Sequence, residues 1–156
     1  MQIAQATTSH LNGVASLFND YRIFYKQPSD LNGANVFVKE RLEKRDSVIF
    51  IAIKKEEDRD PLLGFTQLYP TFSSVSMKRM YVLNDLFVCA DARGQGIGSA
   101  LLKHAQEFAA NEPHCKGLAL ETARDNFAAQ KLYERLGFAR DDAHFYYEWT
   151  VPVKPN

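Results

Sequence analysis

Arg93-Gly94-Gln95-Gly96-Ile97-Gly98-Ser99 follows the apolar run Leu83-Asn84-Asp85-Leu86-Phe87-Val88 and precedes Leu101, Leu102, Ala105, Phe108 and Ala109. The run before the glycines reads as a strand. The residues after them, with Ile97, form one broad apolar helix face. The glycines therefore sit where a strand turns into a helix. A helix start leaves N–H groups unpaired and carries partial positive charge, so it suits an anion. Glycines let the backbone approach that anion closely, and Arg93 can add a charge-assisted contact. A Walker-type loop would need a lysine before Ser99, and a dinucleotide fingerprint would need GxGxxG where this chain has GxGxG. Taken alone, the loop says that an anion can bind there, and a turn that only eases packing competes with that reading.

Working outward, Ile3 to Ala6 reads as a short first strand. Ser9 is placed to cap a helix in which Leu11, Val14, Leu17, Phe18, Tyr21 and Tyr25 recur at helical spacing. Pro28 stops that helix, Ser29 to Asn35 form a polar joint, and a second helix covers Ala34 to Lys44. Val48 to Ile53 is a β-rich run, and Lys54 to Pro61 is a charged hairpin loop. Leu62 to Phe72 and Val75 to Val88 follow as longer strands, with Ser73-Ser74 as the turn between them. After the glycine loop and its helix, Gly117 to Thr122 reads as a strand. Asn126 to Leu136 is a helix with Gly137 as its cap, and Phe145 to Val151 is a closing strand. This order predicts a mixed α/β sheet with helices packed on its faces. The central hairpins argue against a purely parallel doubly wound sheet.

The chain of 156 residues is read as one domain, 1–156, long enough to bury a sizeable core. Nineteen basic residues balance nineteen acidic ones, which gives no support for nucleic-acid or membrane-surface binding. Cys89 and Cys115 are too few for a disulfide framework, and the four histidines lack metal-ligand spacing, so no metal is expected. The first residues lack a secretory pattern and no apolar run approaches membrane-spanning length, so a cytoplasmic protein is expected.

Thr122-Ala123-Arg124-Asp125-Asn126 and Leu132-Tyr133-Glu134-Arg135-Leu136-Gly137-Phe138 decide between the two readings of the loop. With these residues the chain closely resembles the GNAT superfamily of N-acetyltransferases. That family carries Arg/Gln-x-x-Gly-x-Gly/Ala, met by Arg93, Gly96 and Gly98. A strand, an asparagine and a helix with Leu-Tyr-x-x-x-Gly-Phe follow, met by Asn126, Leu132, Tyr133, Gly137 and Phe138. The resemblance is strong from Leu83 to Phe138 and weaker toward the N-terminus. It implies a mixed, mostly antiparallel central sheet with helices on both faces, and acetyl-CoA as the acetyl donor.

The same resemblance implies roles for individual residues. The backbone of Leu86, Phe87 and Val88 would pair with the pantetheine arm where neighbouring strands splay. The N–H groups of Gln95 through Ser99, with Arg93 and Gly94 beside them, would hold the pyrophosphate. Asn126 would bond the cofactor arm or cap the last helix, and Tyr133 would protonate the leaving thiolate. A backbone N–H near Leu86 or Phe87 would polarise the thioester carbonyl. An aromatic core role for Tyr133 is the competing reading from its helix face alone.

An alkyl ammonium, with a pKa of about 10.4, must lose a proton before it attacks. Leu83 to Val88 is similar to the Leu-Glu-Asp-Phe/Leu-Phe/Tyr-Val stretch of the spermidine/spermine acetyltransferase branch, with Asn84 replacing the glutamate. Asn84 cannot act as a base. Asp85 is the first candidate for ordering the amine or a water, against a purely structural buried hydrogen bond, and Glu121 is the second. Tyr25, Tyr69, Phe72 and Tyr81 are candidate aromatic walls of the acceptor pocket, and each can equally belong to the core. The expected activity is acetyl transfer to a primary amine of a small molecule by direct attack in a ternary complex. A protein amine acceptor and a non-catalytic acyl-CoA sensor are the alternatives. Phe145-Tyr146-Tyr147-Glu148-Trp149 either completes a homodimer, as in many members of the family, or forms a sheet edge.

Overall fold

The computed structural model describes residues 1–55 and 60–153. Five strands form one sheet in sequence order: β1 (Gln2–Gln5), β2 (Val48–Ile53), β3 (Leu62–Ser73), β4 (Lys78–Val88) and β5 (Cys115–Leu120). The first four are antiparallel to their neighbours, and β4 and β5 are parallel. That one parallel pair requires a crossover, supplied by α3 (Ile97–Asn111). The helices α1 (Leu11–Phe24) and α2 (Leu31–Lys44) cover one face, where Val14, Leu17 and Val38 pack on Ile51 and Phe65. On the other face Leu101, Leu102 and Ala105 of α3 pack on Phe50, Leu68 and Leu83. Leu132, Tyr133 and Leu136 of α4 (Phe127–Arg135) reach the rim of that second cluster. The mixed sheet and two helical layers agree with the sequence expectation.

Several boundaries differ for local reasons. Ser9 does not cap α1: a short 3-10 turn at Thr8–His10 comes first, closed by Thr7 N–H donating to His10 Nδ1 at 3.0 Å. α2 starts three residues earlier than expected because Asp30 caps it, accepting from Gly33 N–H at 2.8 Å. β4 begins at Lys78, since Ser74 to Met77 form the turn and Met77 is left-handed at φ 52°. β5 begins two residues earlier than expected. Residues 56–59 of the charged loop lie outside the described residues. The largest difference is at the end of the chain, where Phe145 to Val151 forms no strand and every one of its residues is exposed.

The joint between α1 and α2 is braced from inside. Asn19, only 7% exposed, accepts from Asp30 N–H at 2.8 Å and donates to Ser29 Oγ at 3.1 Å. Asn19→Ala strands these partners, and stability in urea should fall by about 1–3 kcal/mol with an unchanged denaturant slope.

Candidate functional site

β4 stays bonded to β3 as far as Val88, pairing with Gly64, yet its pairing with β5 ends at Leu83 opposite Leu120. Five residues of β4 therefore have no strand on their β5 side. Cys89 N–H donates to Leu63 on β3 at 2.9 Å, so backbone alternation turns Phe87 toward β3 and Leu86 and Val88 toward the gap. A cavity of about 300 Å³ opens there, walled by Leu86, Phe87 and Val88, by Glu121 and Thr122, and by Asn126 and Tyr133. Tyr21, Phe24 and Tyr25 close its α1 side. Leu86 therefore offers its N–H to the gap, while Phe87, named beside it from the sequence, spends its own on β3.

A bulge sets which way Asp85 faces. Gln67 pairs with Asp85 and Leu68 with Leu83, leaving Asn84 as the extra residue. Before the bulge, Tyr81 and Leu83 pack on the α3 side; after it, Phe87 packs on the α1 side. The phase inversion carries Asp85 to the α1 side as well. There its carboxylate accepts from Gln67 Nε2 at 2.8 Å, from Asn84 Nδ2 at 3.1 Å and from the Tyr21 hydroxyl. Burial raises its pKa above the ordinary carboxylate value, against the opposing pull of those three donors. Asp85 is 4% exposed, and its partners Tyr21 and Asn84, not Asp85 itself, line the cavity. Burial, with Asp85 next in effect, also raises the Tyr21 pKa far above that of a free phenol.

Across the gap, α4 is aimed by its own cap, with Asn126 Oδ1 accepting from Ala129 N–H at 3.2 Å. Tyr133 sits one turn further on, half-buried, its ring edge-on to Phe138 at 5.9 Å. Burial raises the Tyr133 pKa, with a smaller push from Tyr25, so it holds its proton at neutral pH.

The glycine loop leads into α3 without a side-chain cap, leaving the N–H groups of Ile97, Gly98 and Ser99 without helical partners. Gly94 and Gly96 adopt φ of 77° and 80°, which side-chain-bearing residues avoid, and a Cβ on either would meet nothing within 4 Å. Gly98 is helical, and a Cβ there would meet Leu132 at an ordinary 3.6 Å. Arg93 Nε donates to Val88 O at 3.1 Å and its guanidinium lies over Phe24, 5.3 Å from the ring centre. Arg135 adds a second cation, donating to Ser99 Oγ at 3.3 Å. An open, uncapped first turn between two arginines fits a pyrophosphate. The free edge at Leu86 and Val88 fits an amide-bearing arm.

The remaining sequence candidates divide. Tyr25 and Glu121 line the cavity. Tyr81 does not: it is 3% exposed on the opposite face, against Phe108 of α3 at 5.2 Å, so its assignment to the acceptor pocket is corrected to the core. Phe72 lies exposed on the β3–β4 hairpin under Arg79. Tyr69 accepts from Gln67 Nε2 at 2.9 Å and, with burial as the main cause, its pKa is pushed up to about 12. Sequence reasoning missed Gln67, though a Thr66-Gln67 pair inside an apolar strand was a usable signal of a buried polar function. It also left Tyr21 as a helix-face residue. Among the described residues no group of three or more His, Cys, Asp or Glu is arranged to hold a metal, and no helix is long and apolar enough to cross a membrane.

Comparison with known proteins places this geometry. The acetyltransferase (GNAT) family profile matches residues 13–138. The uncharacterized N-acetyltransferase YhfO of Bacillus subtilis (strain 168) is 50% identical over 154 residues, covering 99% of this chain and 100% of that protein. A crystal structure of a probable acetyltransferase superposes with a TM-score of 0.86 at 43% identity, covering all of both chains. The aminoglycoside N-acetyltransferase AAC(6')-Iy in complex with CoA shares the fold, with a TM-score of 0.72 at 21% identity over 96% of this chain and 95% of that one. The strand gap, the glycine loop and the full-length match together make this chain an N-acetyltransferase of the acetyltransferase (GNAT) family, whose members use acetyl-CoA.

Proposed function

We propose that the enzyme transfers an acetyl group from acetyl-CoA to a primary amine of a small molecule, of the polyamine, diamine or amino-acid-like class, by direct attack in a ternary complex. The observation that carries this reading is the free edge of β4 facing Tyr133 across a cavity that also holds Glu121, Tyr21 and Tyr25. Acetyl-CoA supplies the electrophilic thioester carbonyl. The N–H groups at the start of α3, with Arg93, hold its pyrophosphate, and Leu86 N–H is turned toward the place where carbonyl oxygen gathers charge. Tyr133, kept protonated by burial, gives its proton to the departing sulfur. The aromatic edge of α1 and the Glu121 carboxylate suit an organic cation.

Asp85 enters this scheme through Tyr21. Its carboxylate is buried and spent on Gln67, Asn84 and Tyr21, so its role is to fix the Tyr21 hydroxyl at the cavity surface. Direct proton abstraction then falls to Glu121 or to water.

A thiol-release assay with acetyl-CoA and a panel of amines tests the activity, and CoA binding without release across a broad panel would turn the reading toward a sensor. Tyr133→Phe should cut kcat by about 100-fold while CoA affinity by calorimetry stays within about twofold. Unchanged turnover would remove Tyr133 from the chemistry.

Gly96→Ala places a side chain at φ 80°, costing about 1–2 kcal/mol locally, and should weaken CoA binding roughly tenfold. Gly98→Ala should bind nearly as the wild type does.

Asp85→Asn tests the buried carboxyl by its pH signature. Because folding raises the Asp85 pKa, the native state keeps the proton to higher pH than the unfolded chain. Wild-type stability relative to Asp85→Asn should be greatest below the ordinary carboxylate pKa and decline as pH rises through the raised one. Denaturant titrations at several pH values read this directly, and a flat difference would contradict it.

A further inference from the structure

We propose that a second cavity, adjoining the first, receives the apolar body of the acceptor, so that the enzyme prefers amines whose body is a carbon chain or ring without a carboxylate. The inference rests on the amine acetyl transfer proposed above. This cavity measures about 470 Å³ and lies between α1 and the chain leaving β4. Ile23 and Phe24 come from α1, Phe87 from β4, and Cys89 and Ala90 from the residues just beyond it. Phe24, Phe87 and Arg93 also wall the catalytic cavity, so the two spaces meet along those residues. An acceptor with its amine in the first space can run its other end past Phe24 into the second.

Two observations say what fits there. The first is uncovered carbon. Ile23 and Phe24 are 46% and 55% exposed, although α1 buries Val14, Ala15 and Leu17 on its core side. The Phe24 ring has Tyr25 edge-on at 5.3 Å and Phe87 at 6.5 Å, which makes an aromatic seam from one cavity to the other. Covering such a surface with carbon is favourable in proportion to the area removed from water.

The second observation is charge. Asp20 and Asp91 line this cavity against one cation, Arg93. That cation is already engaged: its Nε donates to Val88 O at 3.1 Å, and its guanidinium lies 5.3 Å from the Phe24 ring centre and 5.8 Å from that of Phe87. The Cys89 thiol registers the balance, since burial and then Asp20 raise its pKa, Asp91 adds to the rise and Arg93 opposes it. A carboxylate entering here would give up water beside apolar walls and meet like charge, whereas an alkyl or aryl group would do neither. In the catalytic cavity Glu121 is the single carboxylate among the described lining residues, which matches one reacting ammonium.

The test assays the full chain with acetyl-CoA and n-alkylamines from ethylamine to hexylamine, phenethylamine, and the ω-amino acid of hexylamine's length. KM should fall roughly threefold per methylene over the carbons that enter the cavity. The ω-amino acid should be about tenfold poorer in kcat/KM than hexylamine. Ile23→Asp charges the wall from an exposed helix position and should cut the ratio of kcat/KM for hexylamine over ethylamine about tenfold. Ile23→Trp fills the space and should lower the same ratio, which keeps the test open if the aspartate variant misfolds by circular dichroism. Occupancy is read separately in Cys115→Ser, where Cys89 is the only thiol. Hexylamine at twice its dissociation constant should slow alkylation of Cys89 by iodoacetamide roughly threefold, and ethylamine at the same concentration should leave it unchanged. Thiol release independent of chain length, or equal for hexylamine and the ω-amino acid, would overturn the inference and leave the proposed function standing. A length preference that survives both Ile23 substitutions, or an unprotected Cys89, would put the acceptor body elsewhere and overturn it as well. No thiol release from any amine would overturn the proposed function and this inference together.

Discussion

Hydrogen bonding between β4 and β5 stops at Leu83, and almost everything functional in this enzyme depends on that interruption. A strand with one satisfied edge and one open edge offers backbone groups at fixed positions, with no side chain required to create them. Leu86 and Val88 present theirs to the gap because β3 holds β4 in register from the other side. The crossover between β4 and β5, residues 89–114, then starts α3 at the mouth of the same gap. One discontinuity in the sheet thus sets an open strand edge beside an uncapped helix start.

The bulge at Asn84 is the second constraint, and it acts on orientation. One extra residue inverts the alternation of β4, so that Asp85 and Phe87 face α1 while Tyr81 and Leu83 face α3. Asp85 is thereby buried among Gln67, Asn84 and Tyr21 and kept out of the cavity. A carboxylate so placed is costly unless its bonds are complete, and here three donors converge on it. The network joins the sheet to Tyr21 on α1, coupling that helix to the strand whose edge is open.

The α1–α2 joint and α4 have contrasting support. Asn19 and Asp30 close the joint with buried and capping bonds, and α1 buries Val14 and Ala15 completely. α4 is held by its Asn126 cap, by Arg135 donating to Ser99 and by Gln106 of α3 donating to the Leu136 carbonyl, and its apolar face is half-covered. The α1 side of the cavity is therefore built on a buried helix pair, and the α4 side on the thinner layer of the fold.

The sequence by itself determined the strand–loop–helix junction, the two apolar helix faces of the N-terminal half, and the loop and α4 motifs that mark an acetyltransferase. Those features are local: glycine at positive φ, an asparagine at a helix start and apolar residues at helical spacing leave their signature within a few residues. Tertiary structure decided what depends on partners far along the chain. Tyr81 and Tyr21 are both aromatic residues on amphipathic elements, and nothing local distinguishes the core residue from the cavity wall. The side on which Asp85 falls follows from a register shift against β3, which no alternation within β4 reveals. Phe145 to Val151 reads as a strand from its residues, and only the fold shows that it lies unpaired although β5 ends the sheet. A strand needs a paired neighbour as well as a propensity, and the pairing is a property of the whole molecule.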